Sequence, residues 1–150
     1  ADTHNYTTLT GTLVPYVDDG MDYIPPEELG EVFRRLHLFI RPDGLFIFDI
    51  RSPEWFKSID GEVFVDETDD MLCLWRADFE DGCMCYGMDI FSKSGSLWRR
   101  DSEEHIEYAH SPERLAELLE IAGFENVRLC CDCPQSDGGR LFITAKRNGV

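Results

Sequence analysis

One segment identifies the class of fold most clearly: Arg41-Pro42-Asp43-Gly44-Leu45-Phe46-Ile47-Phe48-Asp49-Ile50. Its first four residues form turns readily and predict the end of a preceding helix. The next six form a continuous apolar run that closes on an acid, which is typical of a parallel β-strand buried on both faces. The segment therefore predicts an α/β protein in which this strand runs parallel to a neighbour.

The residues before this segment complete a β-α-β unit. Residues 12–17 predict a short strand, in which Pro15 favours an edge or an irregular strand end. Pro25-Pro26-Glu27-Glu28 begins a helix, because proline suits the first helical turn and carboxylates favour the positive end of the helix dipole. Leu29, Val32, Phe33, Leu36 and Ile40 then follow helical spacing. The handedness rule makes this unit a right-handed crossover.

The residues after it change character and then return to the first pattern. Between residues 61 and 108 apolar and polar side chains alternate, with turn signals that predict an antiparallel meander of about four strands. A helix over 111–122 and strands over 127–131 and 140–146 follow. We therefore predict one domain over 1–150, with the order β-α-β, a meander insert at 61–108, and α-β-β.

The composition excludes several classes of function. Thirty acidic side chains stand against 14 basic ones, for a formal charge of −16. A protein this acidic repels the phosphate backbone of nucleic acids and anionic membrane surfaces. No apolar run approaches the ~20 residues of a membrane span. The six cysteines lack zinc-knuckle spacing and no signal peptide precedes them, so we expect reduced thiols and a cytoplasmic location, with structural zinc as the alternative.

Ligands of open parallel sheets bind beyond the carboxyl ends of the strands. Acidic residues lie there at Asp18-Asp19-Gly20 and at Asp49, where they serve either a ligand or only the turns. None of the twelve glycines forms G-x-G or a P-loop, and there is no G-x-S-x-G. Nucleotide sites of the common kinds and the simplest hydrolase sites are therefore unsupported.

The densest polar cluster covers residues 99–108. In an alternating strand, Glu103, His105 and Glu107 share one face, opposite Glu104. Carboxylates beside a histidine favour its charged form, so His105 is a candidate general base. A solvated, ion-paired sheet face is the alternative. Three meander aromatics line a substrate cavity or form the core beneath it: Trp75, Tyr86 and Trp98.

Four parts of the sequence together resemble class I S-adenosylmethionine-dependent methyltransferases. Residues 19–29 and 38–50 resemble an Asp-x-x-Asn-Tyr-Leu turn, a helix and an "L-x-P-G-G-x-F-I-F-D" strand. Residues 104–124 resemble a later "E-x-H … Y-S-x-E-x-x-x-L-L-x-x-A-G-F" segment, and residues 139–146 resemble the closing strand. Residues 1–4 are similar to the "Q-D-M" that follows the family's third strand. Asp22, Tyr108 and His110 depart from the residues usual in the family.

The resemblance implies a Rossmann-like methyltransferase sheet and S-adenosyl-L-methionine as the cofactor. It places Asp2 and Thr3 near adenine, Asp19 and Gly20 at the methionine part, and Tyr23 between cofactor and substrate. The meander becomes a substrate lid that offers four side chains, with His105 as the proton acceptor: Trp75, Arg100, Glu104 and His105. The expected substrate is a small molecule.

The resemblance covers only the second half of the family's fold. The first three strands, with the glycine-rich loop that holds the cofactor, are not in this sequence. We therefore expect this C-terminal portion to be inactive alone, with activity belonging to the complete fold. The alternatives are a non-catalytic binding module and a subunit whose partner supplies the missing half. The strand at residues 12–17 would become an exposed edge, so we expect homo-oligomerisation through it or local disorder there.

Overall fold

The computed structural model describes residues 5–9, 12–17, 20–130 and 139–149, and it contains two β-sheets. The first has five strands in the order β1-β2-β3-β9-β8, and the second has four in the order β4-β5-β6-β7. The strands of the first sheet are β1 Asn5–Leu9, β2 Thr12–Val17, β3 Leu45–Arg51, β8 Phe124–Cys130 and β9 Arg140–Arg147.

The predicted β-α-β unit is confirmed. β2 pairs parallel with β3 through Tyr16 opposite Ile47 and Val17 opposite Phe48. Helix α1, Leu29–Phe39, connects them and is preceded by two 3₁₀ turns at Gly20–Tyr23 and Pro26–Glu28. The far side of β3 pairs antiparallel with β9, which in turn pairs antiparallel with β8.

The edge of this sheet differs from the prediction. Residues 5–9, for which the sequence predicted no strand, form β1, which pairs antiparallel with β2 along its length. The strand at residues 12–17 is therefore internal, and its prediction as an exposed edge is wrong. The reason is that a partner strand only two residues away in the chain supplies the missing hydrogen bonds at almost no cost in loop closure.

The main hydrophobic core lies between this sheet and two helices. Phe46, Phe48 and Ile50 project from one face of β3 and are 1% exposed or less. Phe33 of α1 and Leu115 of α3, Pro112–Ile121, pack in the same cluster. Burial of β3 is incomplete elsewhere, since its first residue, Leu45, is 42% exposed. Among the described residues, the structure contains no helix with the length and apolar character that crossing a membrane requires.

The meander insert is confirmed as four antiparallel strands. They are β4 Val63–Glu67, β5 Met71–Glu80, β6 Cys83–Ser94 and β7 Leu97–Tyr108. Residues Asp81, Gly82 and Gly95 have positive φ angles at the hairpin turns, which supports the turn signals read from the sequence. A second, smaller core forms where the meander meets α2, Pro53–Ser58, around Phe56, Ala77 and Met84.

Candidate functional site

A cavity of about 290 Å³ lies between the two sheets, beyond the carboxyl end of β3. Residues from six elements meet there, although they are far apart in the sequence. This is the position at which open α/β sheets bind ligands, and the volume is near the small end of the range for small-molecule sites. The lining residues are Asp22, Tyr23, Arg51, Trp55, Trp75, Tyr86, Met88, His105 and Glu107.

The 3₁₀ turn at Gly20–Tyr23 forms one wall of the cavity. Asp22 is 1% exposed, and its two carboxylate oxygens lie 3.4 and 3.3 Å from the backbone nitrogen of Arg51, which donates to them. This contact ties the turn to the last residue of β3. Tyr23, the next residue, is 49% exposed and stands at the cavity mouth. The turn therefore presents a buried carboxylate and an accessible ring side by side.

A buried histidine holds this turn from behind. His110 is 3% exposed, and its Nε2 donates to the backbone carbonyl of Met21 over 2.9 Å. Burial lowers the pKa of His110 below its ordinary value, although backbone carbonyls of Met21 and Ile24 oppose the change. The ring therefore stays neutral and serves as a structural donor near the site.

Aromatic side chains form most of the remaining walls. Trp75 of β5 stacks on Phe64 with ring centroids 4.2 Å apart, and it meets Tyr86 of β6 edge-on at 5.7 Å. On the opposite wall, the guanidinium of Arg51 lies 4.5 Å from the ring centroid of Trp55. These contacts fix the ring orientations, so the cavity has a defined shape.

The electrostatic environment within the cavity is negative. Burial raises the pKa of the Tyr86 hydroxyl above its ordinary value, and the carboxylates of Glu107 and Asp22 raise it further. Arg51 acts in the opposite direction but ranks below both carboxylates. Each of these groups lines the same cavity, and two of the three permanently charged side chains on its wall are carboxylates.

His105 is the one candidate proton acceptor from the sequence that lies on the cavity wall. Its Nε2 is 3.1 Å from Oε2 of Glu103, and this ion-pairing contact is exposed to solvent. In the β6–β7 register, His105 stands opposite Tyr86. A histidine oriented by a carboxylate and open to a cavity has the geometry of a general base.

The structure separates the predicted site residues into three groups. Tyr23, Trp75 and His105 meet around the cavity. Arg100 and Glu104 alternate with His105 along β7 and therefore lie on the other face of the meander, where Arg100 bonds to Asp89 at 3.1 Å. Gly20 begins the 3₁₀ turn, whereas three further candidates fall outside the described residues: Asp2, Thr3 and Asp19.

Asp49 has a different environment from the cavity carboxylates. It is 1% exposed, and Nη1 of Arg140 in β9 donates to its Oδ2. The Asp49–Arg140 ion pair links two neighbouring strands in the sheet. The acid at this strand end therefore forms an ion pair across the sheet, whereas the two interpretations of the sequence were a ligand contact and a turn.

Arg51 and Trp55 line the cavity although the sequence did not single them out for a site. Arg51 directly follows the apolar run of β3, and a polar residue just past a buried strand is a usable signal. Trp55 belongs to the short helix α2, which Ser52 caps by accepting from the backbone nitrogen of Trp55 at 3.1 Å. Its place on the cavity wall depends on how α2 packs against the meander.

The described residues also bear on metal and disulfide chemistry. Within residues 5–9, 12–17, 20–130 and 139–149, no group of three or more histidine, cysteine or acidic side chains could hold a metal ion. The described cysteines Cys73, Cys83, Cys85 and Cys130 are free thiols.

The fold corresponds to part of a Rossmann-like methyltransferase domain, and comparisons with known proteins confirm this. A methyltransferase from Clostridium acetobutylicum ATCC 824, described as S-adenosylmethionine-dependent, superposes with a TM-score of 0.75 at 22% identity over 95% of this chain and 61% of its own. The S-adenosylmethionine-bound amino pentose methyltransferase CalS10 from Micromonospora echinaspora superposes with a TM-score of 0.74 at 16% identity, with the same coverage.

A sequence relative agrees with these structures. The chain is 24% identical over 140 residues to the Bacillus subtilis (strain 168) protein named "Putative methyltransferase YqeM", covering 87% of this chain. The chain spans 56% of the length of that relative. No family model matches the chain. The resemblance to methyltransferases read from the sequence is therefore confirmed, at the level of part of the fold.

Proposed function

We propose that this chain is part of an S-adenosylmethionine-dependent methyltransferase that acts on a small molecule. The observation that carries the proposal is the cavity beyond β3, which brings Tyr23 and His105 together in a fold shared with such enzymes. The sequence relative and the solved structures named above support the same reaction class. The substrate lid is formed by the meander.

The residues of this chain fit the chemistry of the proposed cofactor on its substrate side. S-adenosylmethionine supplies a methyl group activated by a positively charged sulfonium. Asp22 and the ring of Tyr23 lie next to Gly20, and a carboxylate with an aromatic face suits a cationic centre. Asp2, Thr3, Asp19 and Gly20 are the proposed contacts to the rest of the cofactor.

In such a transfer, the protein positions the methyl acceptor, which is the nucleophile, and removes a proton from it. When bound, S-adenosylmethionine would supply the methyl group, and the residues of this chain would hold the acceptor in line with it. The nucleophile must then lose a proton, and His105 is the proposed acceptor at a ring nitrogen. Glu103 holds that ring through the 3.1 Å contact. Trp75 and Tyr86 restrict where a substrate can lie.

We expect the chain to bind cofactor weakly when alone, because its sequence has no glycine-rich loop for the methionine part. Isothermal titration with S-adenosylhomocysteine measures this directly. Submillimolar binding by this chain would contradict the expected incompleteness of the site.

The coding sequence upstream of Ala1 distinguishes the two functional proposals. A strand-turn-helix with G-x-G-x-G in the same reading frame supports the methyltransferase. In that longer protein we expect His105→Gln to lower the rate of methyl transfer at least tenfold, as loss of a general base does. An unchanged rate would remove His105 from the reaction.

The second candidate is a binding module or subunit that retains the fold without the cofactor loop. The observation in its favour is that none of the glycines in this sequence forms G-x-G. A start codon directly before Ala1 would support it, and co-purification with a protein carrying the glycine-rich half would identify the subunit form. We also propose a cytoplasmic location, since the described cysteines are free thiols.

A further inference from the structure

The cavity has more negative charge and more aromatic surface than a small polar substrate requires. Two carboxylates, Asp22 and Glu107, and four rings line it, against one permanent cation, Arg51. The rings belong to Tyr23, Trp55, Trp75 and Tyr86. Aromatic faces attract cations through their quadrupole, and the attraction is strongest where water is excluded.

We propose that this cavity binds a ligand through a cationic amine, so that the methyl acceptor is an amine. This inference rests on the proposed function, because it specifies the substrate class of the same site. The meander side of the cavity carries the argument. There, Glu107 and Tyr86 lie on adjacent strands, and the rings of Trp75 and Tyr86 meet in a T-shaped arrangement with centroids 5.7 Å apart.

The pKa of Tyr86 also supports a cationic ligand, by an argument that does not depend on the shape of the cavity. Two cavity carboxylates, Glu107 and Asp22, raise the pKa of its hydroxyl, and their influence exceeds the opposing influence of Arg51. A negative potential at Tyr86 stabilises a positive ligand and repels a carboxylate of the same size. Arg51 itself already lies over the ring of Trp55, at 4.5 Å.

The chemistry of transfer is consistent with this ligand. An ammonium nitrogen has no lone pair until it loses a proton, and His105 lies on the same cavity wall to accept one. A neutral amine then has the lone pair that attack on a methyl group requires.

The test uses the intrinsic fluorescence of the chain, since Trp55 and Trp75 line the cavity. The probes are cyclohexylamine, which is an ammonium at pH 7.5, and cyclohexanecarboxylate, which has the same ring with the opposite charge. We expect saturable binding of the amine and at least tenfold weaker binding of the carboxylate. Equal or tighter binding of the carboxylate would overturn the proposal.

Two variants examine the site by matched substitutions. Glu107→Gln removes a cavity carboxylate, and Glu80→Gln removes the same charge from the exposed end of β5. We expect about tenfold weaker amine binding in Glu107→Gln, as loss of a hydrogen-bonded charge costs about 1.5–3 kcal/mol. Glu80→Gln should bind as the unmodified chain does. Equal affinities in the two variants would overturn the proposal.

A competition experiment separates the acceptor from the cofactor, whose sulfonium is also a cation. The competition is run in the longer protein that carries the glycine-rich half; if the cavity takes the acceptor, saturating S-adenosylmethionine leaves the affinity for cyclohexylamine unchanged. Competitive displacement by S-adenosylmethionine would assign the cavity to the cofactor and overturn the amine proposal, while it would support the proposed function. Failure of the amine to bind, with S-adenosylhomocysteine still bound, would likewise remove only the present inference.

Discussion

His110 shows how one residue couples the stability of the fold to the candidate site. Because a carbonyl oxygen can only accept, Nε2 must carry the hydrogen it donates to Met21. The ring also stacks on Tyr108, with centroids 6.4 Å apart. It thus joins the end of β7 to the 3₁₀ turn that presents Asp22 and Tyr23 to the cavity.

This coupling predicts a pH dependence of stability. Burial lowers the pKa of His110 in the folded chain below 6.5, the ordinary value. Between these two pKa values, the unfolded chain therefore binds more protons than the folded one. The free energy of unfolding should therefore be at its full value above about pH 6.5 and fall as the pH drops towards the native pKa. Urea denaturation at pH 7.5, 6.5 and 5.5 measures the change.

His110→Gln should flatten this dependence, because glutamine retains a donor but does not titrate. Gly87→Ala, which changes no titratable side chain and places its Cβ in open space, is the control and should leave the dependence as it is. The carboxyls with lowered pKa values, Glu31, Asp89 and Glu113, ordinarily titrate at 4.5 or below and lie outside this window. If the free energy of unfolding changed equally with pH in both variants, His110 would not be the source of the pH dependence.

At Gly123, the conformation of the backbone requires glycine. Its φ is 104°, and a Cβ there would lie 2.7 Å from Nε2 of His37. Gly123→Ala should lower the free energy of unfolding by about 1–3 kcal/mol. Gly87→Ala is the control, since nothing lies within 4 Å of its Cβ position, and it should change stability by no more than about 0.5 kcal/mol. Urea midpoints of the two variants compare them, and equal midpoints would contradict the prediction.

At the scale of elements, α1 is held by one apolar side. Phe33 is fully buried, and its ring centroid lies 6.4 Å from that of Phe46 and 5.8 Å from that of Phe48. On the other side, Glu31 makes ion pairs with Arg34 and Arg35 in the solvent. Surface pairs of this kind contribute little, so the packing of Phe33 fixes the helix on the sheet.

The same substitution at two positions of α1 tests this. Phe33→Ala should cost about 3–5 kcal/mol, the range for large buried side chains. Phe39→Ala, at a residue that is 75% exposed, should change stability by no more than about 0.5 kcal/mol. Thermal unfolding followed by circular dichroism distinguishes the two. Comparable losses would mean that Phe39 is buried against something else in solution.

At the scale of the whole molecule, β1 is an edge strand of the first sheet. The second sheet lies on the other side of the cavity from the first sheet. Pairing with β2 satisfies only one side of β1, and the sheet order leaves its other side as the edge. Edge strands offer backbone donors and acceptors to a second chain. The sequence suggested oligomerisation through residues 12–17. Oligomerisation therefore stays a prediction, and we now expect it through residues 5–9.

Sedimentation equilibrium over a range of protein concentrations tests this prediction. We expect self-association that Thr8→Lys weakens, because a charged residue on an edge strand opposes pairing with a second copy. Thr68→Lys, in the β4–β5 turn of the meander, is the control and should associate normally. A monomer at every concentration would contradict the prediction.

Local signals in the sequence determined most of the elements. Proline and glycine at helix ends, apolar spacing and turn residues placed α1, α3, β3 and the four meander strands, because these preferences act within a few residues. The resemblance to methyltransferases added the kind of sheet, which is Rossmann-like. The strand at residues 5–9 was missed, since its polar composition carries no signal and only pairing with β2 makes it a strand.

The site needed the tertiary structure. Alternation along β7 already separated His105 and Glu107 from Glu104 and Arg100, but only the packing of the meander against β3 and α2 decided which face meets the cavity. That packing also brought Arg51 and Trp55 to the same wall. Side-chain periodicity is a property of a single strand. The direction in which a sheet packs, in contrast, depends on contacts between residues far apart in the chain, and the sequence alone does not show these contacts.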